Sequence, residues 1–265
     1  MIYNNNSKEK YEMSKKNAQL DLLNSEQELI KKRKEEKKLK LQNTILNYSP
    51  SEFAYGFEGC KKCYYDKKIN NIEFKSFFPP IFNTFDKLQK NYFNGKNSKL
   101  IDNSVEDGVI VADYEKIIKT KVFYDLKKRP FTMSGKIDAY IKHKNGFSVI
   151  DFKTTNINES KIDLYETQLQ SYALMLENSN EKSLSLSPVI GLGILCFEPN
   201  EITNQNKNLA DMKWYTKWYK INLDKTHKKI ITYITKIQDF LLDGEKPMPS
   251  EKCNVCNFLK KQSYL

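Results

Sequence analysis

Hydrophobic positions change period several times along the chain, and each change marks an element. Residues 8–47 hold no Gly or Pro and are dense in Lys, Glu, Leu and Gln. Their sparse apolar positions, Leu20, Leu23, Ile30, Leu39 and Leu41, make no continuous heptad seam, so the pattern predicts a long, solvated helix frayed over residues 1–7. Tyr48-Ser49-Pro50-Ser51-Glu52 breaks that helix; Ser49 suits an N-cap and Pro50 a first helical position, which places the start of the folded domain here. Phe82, Phe85, Leu88 and Tyr92 recur at helical spacing within 81–93. A strand-rich centre follows. Residues 120–126, 132–143, 146–155, 188–197 and 214–223 are rich in β-branched and aromatic residues, and Asn145-Gly146 joins the second and third runs as a hairpin. Two more helices are expected. Over 159–178, Leu164, Tyr165, Gln168, Leu169, Tyr172, Ala173 and Leu176 share one face, and over 225–242 Ile230, Ile231, Ile234, Ile237 and Leu241 recur before Gly244, Pro247 and Pro249. This order predicts an α/β fold: a mixed central β-sheet flanked by helices over 48–265, with a long N-terminal helical extension over 1–47.

At 265 residues with 39% hydrophobic content, the chain can bury one sizeable core. No run of 18 apolar residues appears and the first residues hold no apolar core of a signal peptide, so the expectation is a soluble, intracellular protein, cytoplasmic or nucleoid-associated, with no membrane partner. The formal net charge is +11, a balance that suits nucleic acid or another anionic surface. Only Arg33 and Arg129 are arginines, however, and the chain is crowded with Lys, Asn and Ile, so AT-rich coding accounts for part of the excess. Up to residue 45, eleven basic residues face seven acidic ones. The cluster Lys31, Lys32, Arg33, Lys34, Lys37 and Lys38 suits phosphate contacts or a protein partner docking through residues 1–47, and equally a charged helix with no specific task.

The cysteines add chemistry. Cys60 with Cys63 and Cys253 with Cys256 form two C-x-x-C pairs, while Cys196 lies inside the apolar run VIGLGILCF and reads as a core residue. An odd count in an intracellular chain argues against a disulfide framework and for thiolate metal ligation. Four thiolates hold either tetrahedral Zn²⁺ or an iron-sulfur cluster. The 189 residues between Cys63 and Cys253 far exceed a zinc-ribbon spacing of roughly 15–20, so a shared site would clamp the two ends of the domain.

A second constellation lies in SGKIDAYIKHKNGFSVIDFKTT. Alternation along a strand sends Asp151 and Lys153 to one side, and Ile150 and Phe152 to the other. Asp138 interrupts the preceding run, and the tight Asn-Gly turn makes the two neighbours, so three ionisable groups can meet. Paired carboxylates suit a hard divalent cation, Mg²⁺ or Mn²⁺, and an adjacent ammonium can orient an attacking water and offset charge on a phosphorane-like transition state. The plain alternative is an Asp/Lys ion pair on an exposed sheet face.

GKID at 135–138, VIDFKTT at 149–155 and QLQSYALML at 168–176 resemble the PD-(D/E)XK nuclease superfamily, specifically its RecB-like branch with a four-cysteine iron-sulfur cluster. The resemblance spans about residues 48–256 and implies a restriction-endonuclease-like core. It implies that Asp138, Asp151 and Lys153 are the metal-binding and catalytic groups, with the Phe152 carbonyl as a further metal ligand and Gln168 and Tyr172 lining the site. It also implies Mg²⁺ or Mn²⁺ and a [4Fe-4S] cluster, or alternatively Zn²⁺, on Cys60, Cys63, Cys253 and Cys256. Two departures stand out. The best-known cluster-bearing members place one cysteine before the core and three after it, whereas this chain divides them two and two. Members also often carry a His or Glu in a helix ahead of the first catalytic strand; neither His143 nor His227 lies there, and Asp86 is the candidate substitute. The implied activity is hydrolysis of phosphodiesters leaving a 5′-phosphate, with DNA, single-stranded or at an end, as the expected substrate. The other readings are a catalytically silent nucleic-acid-binding module and a structural subunit of a repair or replication assembly carrying a four-cysteine zinc site.

Overall fold

The computed structural model describes residues 44–74, 78–112, 116–158, 162–242 and 246–262, with residues 19, 23–33, 35, 36 and 39 of the N-terminal segment. The chain divides into two units, residues 1–44 with 242–245, and the remainder. In the first, residues 23–33 are helical with exposed side chains, as a charged helix without an apolar stripe should be. Lys34, Lys37 and Lys38 of the basic cluster, with Leu20, Leu41 and Gly244, lie outside the described residues.

The second unit is built on a five-stranded sheet in the order β2-β6-β7-β8-β9, formed by β2 (Val109–Val111), β6 (Ala139–Lys142), β7 (Phe147–Thr154), β8 (Val189–Asn206) and β9 (Leu209–Ile221). β7 and β8 run parallel and the other neighbours antiparallel, so the sheet is mixed. A smaller sheet joins β1 (Leu46–Tyr48), β3 (Ile118–Lys119) and β4 (Phe123–Tyr124) to β5 (Pro130–Gly135). The helices are α1 (Pro50–Tyr55), α2 (Lys61–Ile69), α3 (Ile81–Phe93), α4 (Ile162–Glu177), α5 (Lys228–Leu242) and α6 (Asn254–Gln262). The parallel β7–β8 pair needs a crossover, and α4 supplies it.

Alternation sorts the large sheet into two faces. Val149, Leu192, Ile194, Cys196 and Ile221 join Leu169, Ala173, Ile234 and Ile237 in the main core, so Cys196 is indeed a core residue. Ile150, Phe152, Leu195 and Phe197 face the other way, against Phe93 of α3. The β6–β7 hairpin turns at the expected Asn145-Gly146; a Cβ on Gly146 would lie 2.7 Å from the Pro188 carbonyl oxygen, so only glycine fits. Gly193 is constrained differently: its missing side chain is the seat of the Trp218 ring, 1.9 Å from where a Cβ would stand.

Several sequence expectations change. The domain starts before residue 48, because Leu46–Tyr48 pairs parallel with β5 through Leu46–Phe131 and Tyr48–Met133. The run 132–143 is two strands in different sheets: β5 turns away to pair with β1, and Gly135 passes under Pro50. Of 120–126 only Phe123–Tyr124 is strand. On α3 it is Phe93 that is buried, whereas Leu88 and Tyr92 stay exposed. The longest difference is the β8–β9 hairpin, which continues to Asn206 and Leu209. Its outer part is polar and exposed on both faces, so no apolar alternation marks it in the sequence.

Pro50 occupies the first turn of α1 as expected, but the Ser49 hydroxyl donates to Glu52 Oε2 at 3.2 Å rather than capping a backbone N–H. Glu52 is buried, takes a hydrogen bond from the Tyr64 hydroxyl at 3.0 Å, and pairs with Lys68 Nζ at 2.6 Å, which ties α1 to α2. Glu52→Gln leaves the Lys68 ammonium buried without a counter-charge. The expected cost is about 3 kcal/mol, or a melting temperature lower by about 6–12 °C. A thermal melt checks it, and Glu52→Gln with Lys68→Met should recover most of the loss; equal melts for wild type and Glu52→Gln would remove this pair from the account of stability.

Candidate active site and four-cysteine centre

β7 places the chemistry. The register Ala139–Ile150 puts Asp138, the residue before β6, opposite Asp151. Asp138 is therefore in the turn entering the strand, not within it, and its Oδ2 accepts the Phe152 N–H at 3.0 Å. Asp151 is 2% exposed, and its Oδ2 lies 2.5 Å from Lys153 Nζ. Among the described residues that ion pair is the contact Oδ2 makes. Burial pushes the Asp151 carboxyl above the usual carboxylate range; the Asp138 carboxylate adds to this and Lys153 opposes it. The two aspartates answer by holding the Lys153 ammonium above its usual value, against the effect of its own burial.

Helix α4 closes one side. Gln168 and Tyr172, one turn apart, are both buried, and Gln168 Nε2 donates to the Tyr172 hydroxyl at 3.1 Å. Burial raises the Tyr172 phenol, and the charges of Asp151 and Asp138 raise it further, which puts this helix within electrostatic reach of both carboxylates. Gln168 Oε1 is buried without a hydrogen-bond partner among the described residues. Lys153 Nζ stands 5.1 Å from the Tyr165 ring centre.

Helix α3 closes the other side with a residue that sequence reasoning missed. Lys90 Nζ lies 3.2 Å from Asp138 Oδ1 and 2.9 Å from Asp86 Oδ2. Asp86 thus meets the centre through Lys90, not by touching the aspartates of the sheet. The i, i+4 spacing of Asp86 and Lys90 was legible, but nothing in the sequence pointed that pair at Asp138.

Asp138, Asp151, Lys153, Gln168 and Tyr172 are therefore brought together. A crowded pair of carboxylates, one of them buried, suits a hard divalent cation with oxygen ligands.

The four cysteines converge on a second centre. Cys60 precedes α2 and Cys253 precedes α6, with Cys63 and Cys256 in the first turns, so each C-x-x-C opens a helix. Cys60–Cys256, Cys63–Cys253 and Cys63–Cys256 sulfur distances are each 3.6 Å, and all four sulfurs lie within 4.8 Å of one another. Burial raises the Cys60 thiol, but the Cys63 and Ser250 backbone amides outweigh it and bring it down to about 6. The group can hold a metal. A tetrahedral ion with bonds of about 2.3 Å has sulfur–sulfur edges near 3.8 Å, whereas an iron-sulfur cubane, with iron at its corners, holds its thiolates about 6 Å apart. The sulfur spacing matches that of a single tetrahedral ion.

Residues 73–260 match the PD-(D/E)XK nuclease superfamily, and the chain belongs to it. Members of that superfamily are generally nucleases that use divalent metals and act on nucleic acid. No curated protein matches the chain. Among solved structures, the crystal structure of SSO0001 is similar at 14% identity and a TM-score of 0.41, covering 88% of this chain and 94% of that one. Among the described residues no helix is long and apolar enough to cross a membrane.

Proposed function

We propose that this protein is a Mg²⁺- or Mn²⁺-dependent nuclease that cuts DNA, single-stranded or at an end. The observation that carries the reading is the buried Asp151–Lys153 ion pair facing Asp138. Asp138, Asp151 and the Phe152 carbonyl would hold the divalent ion. Bound there, it supplies Lewis-acid activation of water and of the scissile phosphate. Asp138 fixes the approach of the strands by accepting the Phe152 N–H. Lys153, kept protonated by both aspartates, orients the attacking water and offsets charge developing on the phosphate. Gln168 and Tyr172 line the site from α4, with the Tyr172 proton held firmly by burial. Asp86 acts through Lys90.

The test is cleavage of end-labelled single- and double-stranded DNA and RNA by purified protein, with Mg²⁺, Mn²⁺ or EDTA. Cleavage of DNA with either ion and none with EDTA is expected; no cleavage with any divalent ion would leave the silent binding module. For the four-cysteine centre, the sulfur spacing supports a single Zn²⁺ over the [4Fe-4S] cluster, in a structural clamp. Elemental analysis should find one zinc in a colourless protein. Four irons per chain with a brown visible spectrum would reverse that assignment.

A further inference from the structure

Cross-strand register carries the catalytic face beyond the family motif. Lys153 on β7 stands opposite Cys196 on β8, and Cys196 stands opposite Lys217 on β9. In the same way Asp151 stands opposite Ile194, and Ile194 opposite Tyr219. Residues in one cross-strand row share a face, and the cores agree: Cys196, Ile194 and Tyr219 belong to the main cluster, whereas Trp214 and Trp218 pack on the opposite one. Lys217, Tyr215 and Lys213 therefore continue the face of Asp151 and Lys153 out along the hairpin.

Lys217 is exposed, and its Nζ lies 4.8 Å from the Tyr219 ring centre, so the side chain leans back toward the row of Asp151. Two strand spacings of about 4.8 Å separate the backbones at Lys153 and Lys217, a gap of roughly 10 Å that the exposed Lys217 side chain can reach across. Tyr215, one step further out, is 60% exposed although aromatic. Glu198, opposite Tyr215, turns its Oε2 to accept the Ile157 N–H at 3.0 Å. An exposed ring beside a cation, on an open strand level with the candidate catalytic lysine, has the chemistry of a single-strand track: ammonium for phosphate, ring for an unpaired base.

We infer that β9 guides the substrate strand away from the cleavage centre, Lys217 holding a phosphate next to the scissile one and Tyr215 stacking on an unpaired base. This rests on the nuclease reading for the identity of the centre, but its test is binding, not cleavage.

The full chain carrying Asp151→Asn is titrated with a labelled 20-nucleotide oligo-dT, and with a duplex of that length, across a salt series. Adding Lys217→Ala should flatten the slope of log affinity against log salt for oligo-dT by about 0.7. Tyr215→Ala should weaken oligo-dT binding about tenfold and leave the duplex nearly unchanged. Lys220→Ala is the control, because Lys220 is equally exposed on the same strand but points to the opposite face, opposite Gly193. It should leave the slope unchanged. Equal slopes for the Lys217 and Lys220 variants, or no binding of oligo-dT at low salt, would overturn the track. Failure of the wild type to cut any probe with Mg²⁺ or Mn²⁺ would instead overturn the nuclease reading, and the same binding comparison would still decide the track.

Discussion

Asp151→Asn is expected to lower Mg²⁺- or Mn²⁺-dependent cleavage by about 10³-fold or more, the scale on which losing an electrostatic stabiliser of the transition state acts, while raising the melting temperature of the metal-free protein. Both effects have one cause. Asp151 is 2% exposed and crowded by Asp138, so its charge is costly until a cation arrives. Asn keeps the shape and removes the charge, which relieves the metal-free fold, the Asp138 carboxylate remaining as the counter-charge of Lys153, and removes the ligand. Lys153→Ala should also abolish cleavage, but with the opposite sign on stability, since it leaves the buried carboxylate without its 2.5 Å partner. Asp151 can take up a proton in response, so the loss should fall below the roughly 3–5 kcal/mol of a broken buried pair. Melting curves with and without Mn²⁺ check all three proteins. The ion should raise the wild-type transition and leave Asp151→Asn where it was. Full activity in either variant would sink the assignment.

Much of this centre was legible because it lies in the most local code of the fold. A strand of period two bounded by an Asn-Gly turn places Asp151 with Lys153 and brings Asp138 opposite, and a four-residue spacing on an apolar helix gives Gln168 and Tyr172 a shared face. The illegible parts depend on contacts remote in sequence. Lys90 reaches Asp138 across nearly fifty positions. The pairing of Leu46–Tyr48 with β5 depends on a partner more than eighty residues away, so a charged helix seemed to run straight to the proline. The outer β8–β9 hairpin carries no buried face, and without one the periodicity that identifies strands has nothing to select it. Resemblance supplied roles that spacing alone could not.

Removing the metal from the four-cysteine centre, or replacing Cys256 by Ser, is expected to free α6 while the catalytic sheet stays folded. Cys256 is the one buried residue among those of α6; Phe258 and Leu259 on the same helix are exposed. A nine-residue helix is too short to persist alone in water, and this one buries almost no apolar surface to hold it. Its attachment therefore rests on Cys253 and Cys256 meeting Cys60 and Cys63, which are anchored through α2 by buried Tyr64 and Tyr65. Metal binding and docking of the C-terminal segment should be one event. Hydrogen exchange on the metal-loaded protein should show protected amides in α6 that become fast after chelation or in Cys256→Ser, with β7 and α4 unchanged. Cys196→Ser is the contrast: its thiol lies in the main core between Lys153 and Lys217, so it should cost stability without releasing metal or α6. Continued protection of α6 in metal-free protein would mean that packing, not the ion, closes the domain.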